Sequence, residues 1–407
     1  MNSEWKEFKI GDIVSVRRGS SPRPIKNFIC SNGIPWVKIA DATSINSRFI
    51  DSTKEFIKLE GVKNSVIVNP GDLIVSNSAT PGLPKFMNIK ACVHDGWLIF
   101  DNYNGILKEY LYYYFVFIRK NLVNQANGTI FKNLKTDIVK NFVINLPNLH
   151  TQKRIVKILS NIDNDIELNN KLNQNLEKLC VAQFKQNFLL RKPFEDELMK
   201  DSSLGEIPKS WNVVSIVDFV DEMKNGGTPR RGNEEYWVDG DIPWLKTKEV
   251  DNSIIVNSEE FITKKGLKNS SAKLLPINTV IMALYGKGTA GRVGLLKFEA
   301  TTNQACCAMI CNNPNKAIYL YLYLLINQKK IESFANGSVQ QNLSKDILEN
   351  FEIIVPPDNI INNANFNLIF NKIKNNIKEN QNLTQIRDTL LPKLMSGEID
   401  VSKIEVE

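Results

Sequence analysis

The chain has 407 residues, of which 43% are hydrophobic and 23% are charged, and its net charge is +7. This length fits two or three domains, and the composition excludes a disordered, collagen-like or membrane-spanning protein. The longest strongly apolar run, residues 317–326, is shorter than the ~20 residues of a membrane helix, and no apolar signal segment opens the chain, so we expect a cytoplasmic protein without membrane contact.

Residues 1–150 are predicted to form a mixed α and β domain. Short β-branched and aromatic runs at 65–68 and 73–75 indicate strands, and 105–123 indicates a helix. The Tyr-Leu-Tyr pattern of this helix is more typical of a core than of a base-stacking surface. The segment holds 19 basic and 12 acidic side chains, an excess that favours a polyanionic partner.

A long amphipathic helix is predicted over residues 151–190, because apolar residues recur there in steps of three and four. Asn169 interrupts this stripe. The segment 191–209 follows, with two prolines and a glycine, and is predicted to be a linker. The stripe consists of Ile155, Leu159, Ile162, Ile166, Leu172, Leu176 and Leu179.

The chain then repeats itself at an offset of about 207 residues, which settles to a constant 209 from Tyr110 and Tyr319 onwards. A repeat this long predicts a second tandem domain, over 210–357, rather than a solenoid. A second long helix is predicted over 358–400 and a tail over 401–407. Asn380 interrupts its stripe, which consists of Ile369, Ile373, Ile377, Leu383, Ile386 and Leu390.

The predicted fold class is therefore α+β, with two tandem mixed α/β domains that are each followed by a long helix. Two narrow stripes of similar pattern predict that the helices pair as an antiparallel coiled coil, which would relate the domains by a pseudo-two-fold axis. The alternative is that each helix packs on its own domain.

No motif predicts catalysis or a metal site. Residues 286–291 match G-x-G-x-x-G, but a second strand follows instead of a helix, so we predict a glycine-rich hairpin loop. The chain has two histidines and no Gly-x-Ser-x-Gly elbow. Cys306, Cys307 and Cys311 lie in an apolar run and are predicted to be buried thiols. We expect no metal, no cofactor and no catalysis by this chain alone.

Several loops combine glycine with arginine or lysine, a combination that lets the backbone approach DNA while the cations grip phosphate or guanine. Amides at Asn133, Gln340 and Gln341 can pair with adenine. The candidate DNA-binding residues are Arg17, Arg18, Ser21, Arg23, Lys38, Lys85, Lys132, Asn133 and Lys135 in the first domain, and Thr228, Arg230, Arg231, Lys246, Lys248, Lys287, Thr289, Arg292, Gln340 and Gln341 in the second.

The order of these motifs, found twice over nearly the whole chain, strongly resembles the specificity (S) subunit of type I restriction–modification systems. The markers are the Gly-Gly-Thr-Pro at 226–229, the Ile-Pro-Trp at 242–244, the loop 286–291 followed by Asn-Gln-Ala at 303–305, the Tyr-Leu-Tyr helices, the Asn-Gly-Thr/Ser motifs, and the Leu-Pro or Val-Pro that leads into each long helix. The first repeat departs from this pattern at 76–85 and 94–97, a divergence that is expected if the two domains read different sequences.

The resemblance implies two target recognition domains, each reading one half of a bipartite, asymmetric sequence in double-stranded DNA. It implies that the helices set the spacer between the halves and help to dock two methyltransferase subunits, which carry AdoMet and methylate adenine. It leaves open whether two motor-nuclease (restriction) subunits, which use ATP and Mg²⁺, join for restriction. The alternatives are a coiled-coil adaptor that binds proteins without sequence-specific DNA binding, and an enzyme with an unfamiliar methyltransferase or nuclease site.

Overall fold

The structure is a computed structural model that describes residues 5–127, 134–194, 196–286, 288–334 and 342–401, with the backbone alone for 120–127. The chain divides into two compact units. Unit 1 contains residues 1–167 and 381–407, and unit 2 contains residues 168–380. Each unit therefore contains one of the repeated domains together with a part of each long helix.

Unit 1 contains two five-stranded sheets and a two-stranded ribbon. The ribbon pairs Lys6–Lys9 with Val143–Leu146, so it joins the beginning and the end of the domain. In order across the sheet, the strands of the first sheet are Ile29–Cys30, Glu55–Ile57, Ile34–Val37, Ala91–Val93 and Val66–Val68, and those of the second are Ser15–Arg18, Trp97–Asp101, Leu73–Ser76, Pro84–Met87 and Phe49–Ile50.

Unit 2 repeats this arrangement with a smaller accessory sheet. The ribbon pairs Asn212–Ser215 with Glu352–Val355. In order across the sheet, the five strands are Glu222–Asn225, Cys306–Ile310, Val280–Ala283, Val293–Leu296 and Ile254–Ile255, and the accessory sheet contains Glu260–Ile262, Ile242–Leu245 and Thr301–Thr302. The equivalent five-stranded sheets have the same strand order, as the tandem repeat predicts.

The central strands of both sheets are buried along their whole length. Every residue of Leu73–Ser76 and Val280–Ala283 is buried, and Ser76 is the one polar residue in these two strands. Residues 280–283 and 293–296 pair antiparallel, so the glycine-rich segment between them closes a hairpin, as predicted.

The helices cover one side of each core. The Tyr-Leu-Tyr helices are Lys108–Asn127 and Pro314–Ile326, and Tyr110 and Tyr319 are both at most 1% exposed, which confirms that they belong to the core. Asn313 caps the second of these helices by accepting a hydrogen bond from Asn315 N. The shorter helices are Ile10–Ile13, Ile39–Thr43, Leu59–Val62, Thr136–Asn141, Ile216–Phe219, Lys264–Lys268, Gln328–Glu332, Lys345–Glu349 and Asp358–Asn363.

The first long helix extends from Leu149 to Phe184, and a π-helical turn continues it to Leu189. The second long helix extends from Phe366 to Met395, after the separate short helix 358–363. The segment 191–209, predicted to be a linker, forms a small hairpin of Met199–Lys200 with Ile207–Pro208, and Ile207 lies in the core of unit 2.

Hydrogen bonds join the two long helices within each unit. In unit 2, Nδ2 of Asn376 donates to Oδ1 of Asn173 at 2.7 Å, and Nδ2 of Asn380 donates to Oδ1 of Asn170 at 2.9 Å. The residue numbers rise on one helix as they fall on the other, so these segments run antiparallel. A regular coiled coil with pseudo-two-fold symmetry remains a prediction.

The predicted stripe is wrong at Leu172, Leu179 and Ile386, which are exposed, and only Ile155, Leu159 and Ile373 of it are fully buried. The buried positions of the helices instead include polar residues such as Asn173 and Asn376. Apolar residues of both long helices, such as Ile155 of the first and Leu394 of the second, also belong to the domain core of unit 1. The half-buried remainder consists of Ile162, Ile166, Leu176, Ile369, Ile377, Leu383 and Leu390.

Cys306 and Cys307 are fully buried and Cys311 is 7% exposed, which confirms their predicted place in the core. In the described part of the chain, no helix combines the length and the apolar character that a bilayer crossing needs.

Candidate nucleic-acid interface

In unit 1, two loops lie side by side at one end of the second sheet. The loop of residues 19–23 follows strand Ser15–Arg18, and the loop of residues 94–96 precedes strand Trp97–Asp101, which pairs with that strand. We call these two loops the first loop pair. It contains the predicted DNA-binding residues Ser21 and Arg23.

In unit 2, loops 226–230 and 303–305 have the same places relative to strands Glu222–Asn225 and Cys306–Ile310. We call these the second loop pair. The predicted residues Thr228 and Arg230 lie in it. The tandem repeat therefore brings equivalent candidate loops together twice.

Glycine is required where the two loops of each pair meet. A Cβ atom on Gly19 would lie 2.1 Å from the carbonyl oxygen of His94, and one on Gly226 would lie 2.2 Å from that of Asn303. Any larger residue would push the two backbones apart. The close approach holds the side chains of the two loops within hydrogen-bonding distance of each other.

One hydroxyl hydrogen bond crosses each loop pair. Oγ of Ser21 donates to Oδ1 of Asp95 at 2.8 Å in unit 1, and Oγ1 of Thr228 donates to Oε1 of Gln304 in unit 2. The donor is a hydroxyl in both units, whereas the acceptor changes from a carboxylate to a carboxamide. The two sites thus share a framework and differ in the polar group that they display.

Two arginines surround Asp95 in unit 1. Nε of Arg18 donates to its backbone oxygen at 2.7 Å, and Nη2 of Arg23 lies 3.4 Å from Oδ2. Burial alone would raise the pKa of Asp95, but the hydrogen bond from Ser21 and the neighbouring His94 and Arg23 outweigh it and lower that pKa. Asp95 is therefore an ionised, acceptor-only group at neutral pH.

Six of the predicted cations form ion pairs with carboxylates at the surface. Ion pairs at the surface contribute little net stability, so a cation can exchange its carboxylate for a DNA phosphate at little cost. The pairs keep these long side chains oriented in the free protein. They are Arg17 with Asp101, Lys38 with Glu55, Arg231 and Lys246 with Glu260, Lys248 with Glu259, and Arg292 with Asp251.

Arg231 is further fixed by two indole rings. Its guanidinium carbon lies 3.8 Å from the ring centroid of Trp237 and 4.5 Å from that of Trp244, while Glu260 pairs with its Nη1. Stacking leaves the edge of the guanidinium available and reduces the rotamer freedom that binding would otherwise remove. Half of the side chain stays exposed.

Lys85 is a correction to the predicted interface. Its side chain is buried, with 5% exposure, and its Nζ donates to the carbonyl oxygens of Ile45 and Ser47. Burial lowers the pKa of Lys85 to about 8. The ammonium group satisfies backbone acceptors inside unit 1 because the strand Pro84–Met87 is buried on both sides, so it does not face DNA.

The remaining predicted residues divide into two groups. Lys135 and Arg230 are exposed, and Thr289 is half-buried, with its hydroxyl donating to the carbonyl oxygen of Tyr285 at 3.0 Å. The others lie outside the described residues, and these are Lys132, Asn133, Lys287, Gln340 and Gln341.

Asp95 and Gln304 lie at the centre of the two loop pairs but are not among the predicted site residues. The difference between residues 94–97 and 303–306 of the two repeats is the sequence signal that points to them. The predicted residues are mainly cations and amides in glycine-rich loops, whereas Asp95 is a carboxylate whose partners Ser21 and Arg23 are more than 70 residues away in the chain.

Among the described residues, no group of three or more His, Cys, Asp or Glu side chains is arranged to hold a metal ion. Burial raises the pKa of the Cys306 thiol to about 12, so this thiol is not an activated nucleophile.

Comparison with known proteins places this geometry in a family. The family model described as "Type I restriction modification DNA specificity domain" matches residues 2–178 and 208–390. Each match covers one of the two repeats and most of the long helix that follows it.

Curated relatives match along the whole chain. The chain is 28% identical to the type I restriction enzyme MjaIX specificity subunit of Methanocaldococcus jannaschii, over 98% of this chain and 95% of the relative. It is 24% identical to the HindI specificity subunit of Haemophilus influenzae, over 98% and 100%. The crystal structure of a type I restriction–modification system S subunit from M. genitalium matches with a TM-score of 0.59 at 15% identity, covering 97% of both chains, which supports the fold.

These matches favour DNA recognition over the adaptor and the enzyme considered above. Because the family model covers both repeats, and each repeat presents the same loop pair, the chain belongs to the type I restriction modification DNA specificity family and is a specificity subunit that recognises DNA sequence.

Proposed function

We propose that the chain reads a bipartite, asymmetric DNA target, with the first loop pair on one half-site and the second loop pair on the other. The observation that carries this proposal is the duplication of the loop pair at the same end of two sheets with the same strand order. The difference between Asp95 and Gln304 supports an asymmetric target, because chemically different groups select different bases.

The long helices are proposed to fix the spacer between the half-sites. Residues 149–167 of the first long helix belong to unit 1 and residues 168–184 to unit 2, whereas the second long helix contributes 366–380 to unit 2 and 381–395 to unit 1. Buried Asn173 and Asn376 bond to each other, and one buried polar pair is a means of fixing the register of two helices.

The chemistry is proposed to reside in partners. In this proposal two methyltransferase subunits carry AdoMet and methylate adenine, and the chain itself binds no cofactor and no metal. Two motor-nuclease subunits that use ATP and Mg²⁺ would join where the system also restricts DNA. A cytoplasmic location belongs to the same proposal, since the DNA target lies there in a prokaryotic cell.

The test is genome-wide adenine methylation in cells that express this chain with its methyltransferase, compared with cells that lack this chain. The proposal predicts one bipartite motif with a fixed gap, which disappears in the control. Methylation that is unchanged without the chain, in the presence of an active and associated methyltransferase, would contradict the proposal.

A second experiment measures how tightly the chain binds duplexes that carry one half-site or both. Duplexes that carry only one half-site should bind more weakly than the full target, and binding should weaken steeply with salt because phosphate contacts release counterions. Affinity that is independent of salt would contradict direct DNA recognition.

A further inference from the structure

We propose that Asp95 and Gln304 are equivalent base-reading residues, and that Asp95 selects a C·G pair in one half-site while Gln304 selects an A·T pair in the other. This inference rests on the proposed function, since it assigns one base pair of each half-site to one side chain.

Asp95 and Gln304 occupy equivalent positions in two equivalent turns. In unit 1, Trp97 N donates to the carbonyl oxygen of His94 at 3.1 Å, and in unit 2 Cys306 N donates to that of Asn303 at 3.2 Å. Each bond closes a four-residue turn of which the reading residue is the second member. The backbone therefore presents both side chains in the same way.

A second backbone hydrogen bond anchors each turn to the sheet. Asn77 N donates to the carbonyl oxygen of Gly96 in unit 1, and Leu284 N donates to that of Ala305 in unit 2, both at 2.8 Å. The turns are thus fixed at two points by equivalent main-chain contacts. A side chain on a rigid turn can distinguish bases because its position does not adjust to the wrong one.

The hydroxyl partner occupies one oxygen and leaves the rest of each polar group available. Ser21 engages Oδ1 of Asp95. Oδ2 lies 3.4 Å from Nη2 of Arg23 and 3.9 Å from Nη2 of Arg18, and only the Arg23 contact is short enough for a hydrogen bond, so a lone pair of Oδ2 stays available. Thr228 engages Oε1 of Gln304, and among the described residues no hydrogen bond engages its Nε2. The side chain of Asp95 is 42% exposed, and Gln304 is exposed as well.

The free groups differ in the bases that they match. A carboxylate only accepts hydrogen bonds, so it pairs with the N4 amino group of cytosine. A carboxamide both donates and accepts: Nε2 of Gln304 can donate to N7 of adenine, and the lone pair of Oε1 that Thr228 leaves unused can accept from N6. Arg23 beside Asp95 strengthens the assignment, because a C·G pair offers the amino group to Asp95 and the guanine O6 and N7 to the guanidinium.

The experiment exchanges the two pairs in the full chain, coexpressed with its methyltransferase. In S21T/D95Q, unit 1 receives the hydroxyl and amide of unit 2, and in T228S/Q304D unit 2 receives those of unit 1. Genome-wide adenine methylation then gives the motif of each variant. We expect one base pair to change in one half-site, from C·G to A·T for S21T/D95Q and from A·T to C·G for T228S/Q304D, with the spacer unchanged.

A matched control carries the same chemical change elsewhere. Ser215 and Asp218 form another exposed hydroxyl–carboxylate hydrogen bond, at 2.5 Å, in a helix cap away from the loop pairs. The S215T/D218Q variant should keep the wild-type motif. If the exchanges leave the motif unchanged, or change several positions of both half-sites, the assignment of Asp95 and Gln304 is overturned.

A binding assay covers the case in which an exchanged variant no longer methylates. The purified complex is titrated with duplexes that replace one base pair of the target at a time. We expect S21T/D95Q to lose roughly 5- to 150-fold of discrimination at one position of one half-site, and to keep it elsewhere. Wild-type preference at every position, or equal loss at all positions of that half-site, would overturn the assignment.

Failure of this inference and failure of the proposed function give different results. If the wild-type chain directs no bipartite motif, the proposed function itself fails. If the wild-type motif is bipartite and the exchanges leave it intact, the proposed function stands and only the role of these two residues is refuted.

Discussion

Removing the carboxylate of Asp163 should strongly destabilise unit 1. Asp163 is 5% exposed, accepts hydrogen bonds from the Tyr113 hydroxyl at 2.7 Å and from Nη1 of Arg387 at 2.8 Å, and lies 3.9 Å from Nε of Arg48. The D163A change leaves a buried hydroxyl without its acceptor and two guanidinium groups with less compensating charge. Loss of one partner of such a buried pair costs about 3–5 kcal/mol.

Asp388 provides a matched control on the same arginine. It accepts a hydrogen bond from Nη2 of Arg387 at 2.8 Å, but its side chain is 58% exposed. Water replaces a lost partner at an exposed site, so D388A should cost at most about 1 kcal/mol. The two variants therefore compare loss of a buried and of an exposed carboxylate from one guanidinium.

Hydrogen–deuterium exchange of the full chain measures the effect in each unit. The buried strand Trp97–Asp101 reports on unit 1, and Cys306–Ile310 reports on unit 2 as an internal reference. In D163A we expect the protection of the unit 1 strand to fall roughly 150- to 5,000-fold, as the loss of about 3–5 kcal/mol implies. Equal effects of D163A and D388A on that strand would mean that burial does not set the contribution of the Asp163 carboxylate.

Three further predictions concern titration, DNA contact and spacing. The depressed pKa of Lys85 means that the unfolded chain holds more protons than the folded chain between about pH 8 and 10.5, so its contribution makes stability rise with pH there. The urea midpoint of K85M should lack that rise, and equal pH slopes of K85M and wild type would contradict the burial argument. The R230A/R292A variant should weaken binding to the second half-site alone and reduce its salt slope by about two; equal loss at both half-sites would contradict the division of labour. Removal of seven residues from each long helix should change the spacer of the methylated motif and preserve both half-sites, and an unaltered spacer would exclude the helices as its determinant.

Local sequence was sufficient to predict the repeated elements. The apolar strand Val280–Ala283 and the tyrosine helix Pro314–Ile326 are recognisable from residue type and periodicity, because strands and helices bury side chains at characteristic intervals. The same is true of the hairpin around 286–291, where glycines follow one strand and precede another.

The helix stripes were harder to interpret. Apolar residues in steps of three or four define the buried face of a helix only to within one residue. Leu172 is exposed, whereas its neighbour Asn173 is buried. The partner of a helix decides which neighbour is buried. Here Asn376 of the second long helix provides a hydrogen bond that makes burial of Asn173 favourable.

Local pattern and repetition in the chain establish two similar domains, two long helices and no recognisable catalytic motif. The tertiary structure determines which charged and polar groups lie together at the surface. It buried Lys85 under two carbonyl oxygens and brought Asp95 to Ser21 and Gln304 to Thr228 across more than 70 residues. Such pairings depend on how strands are ordered in a sheet, and residue type alone does not specify that order.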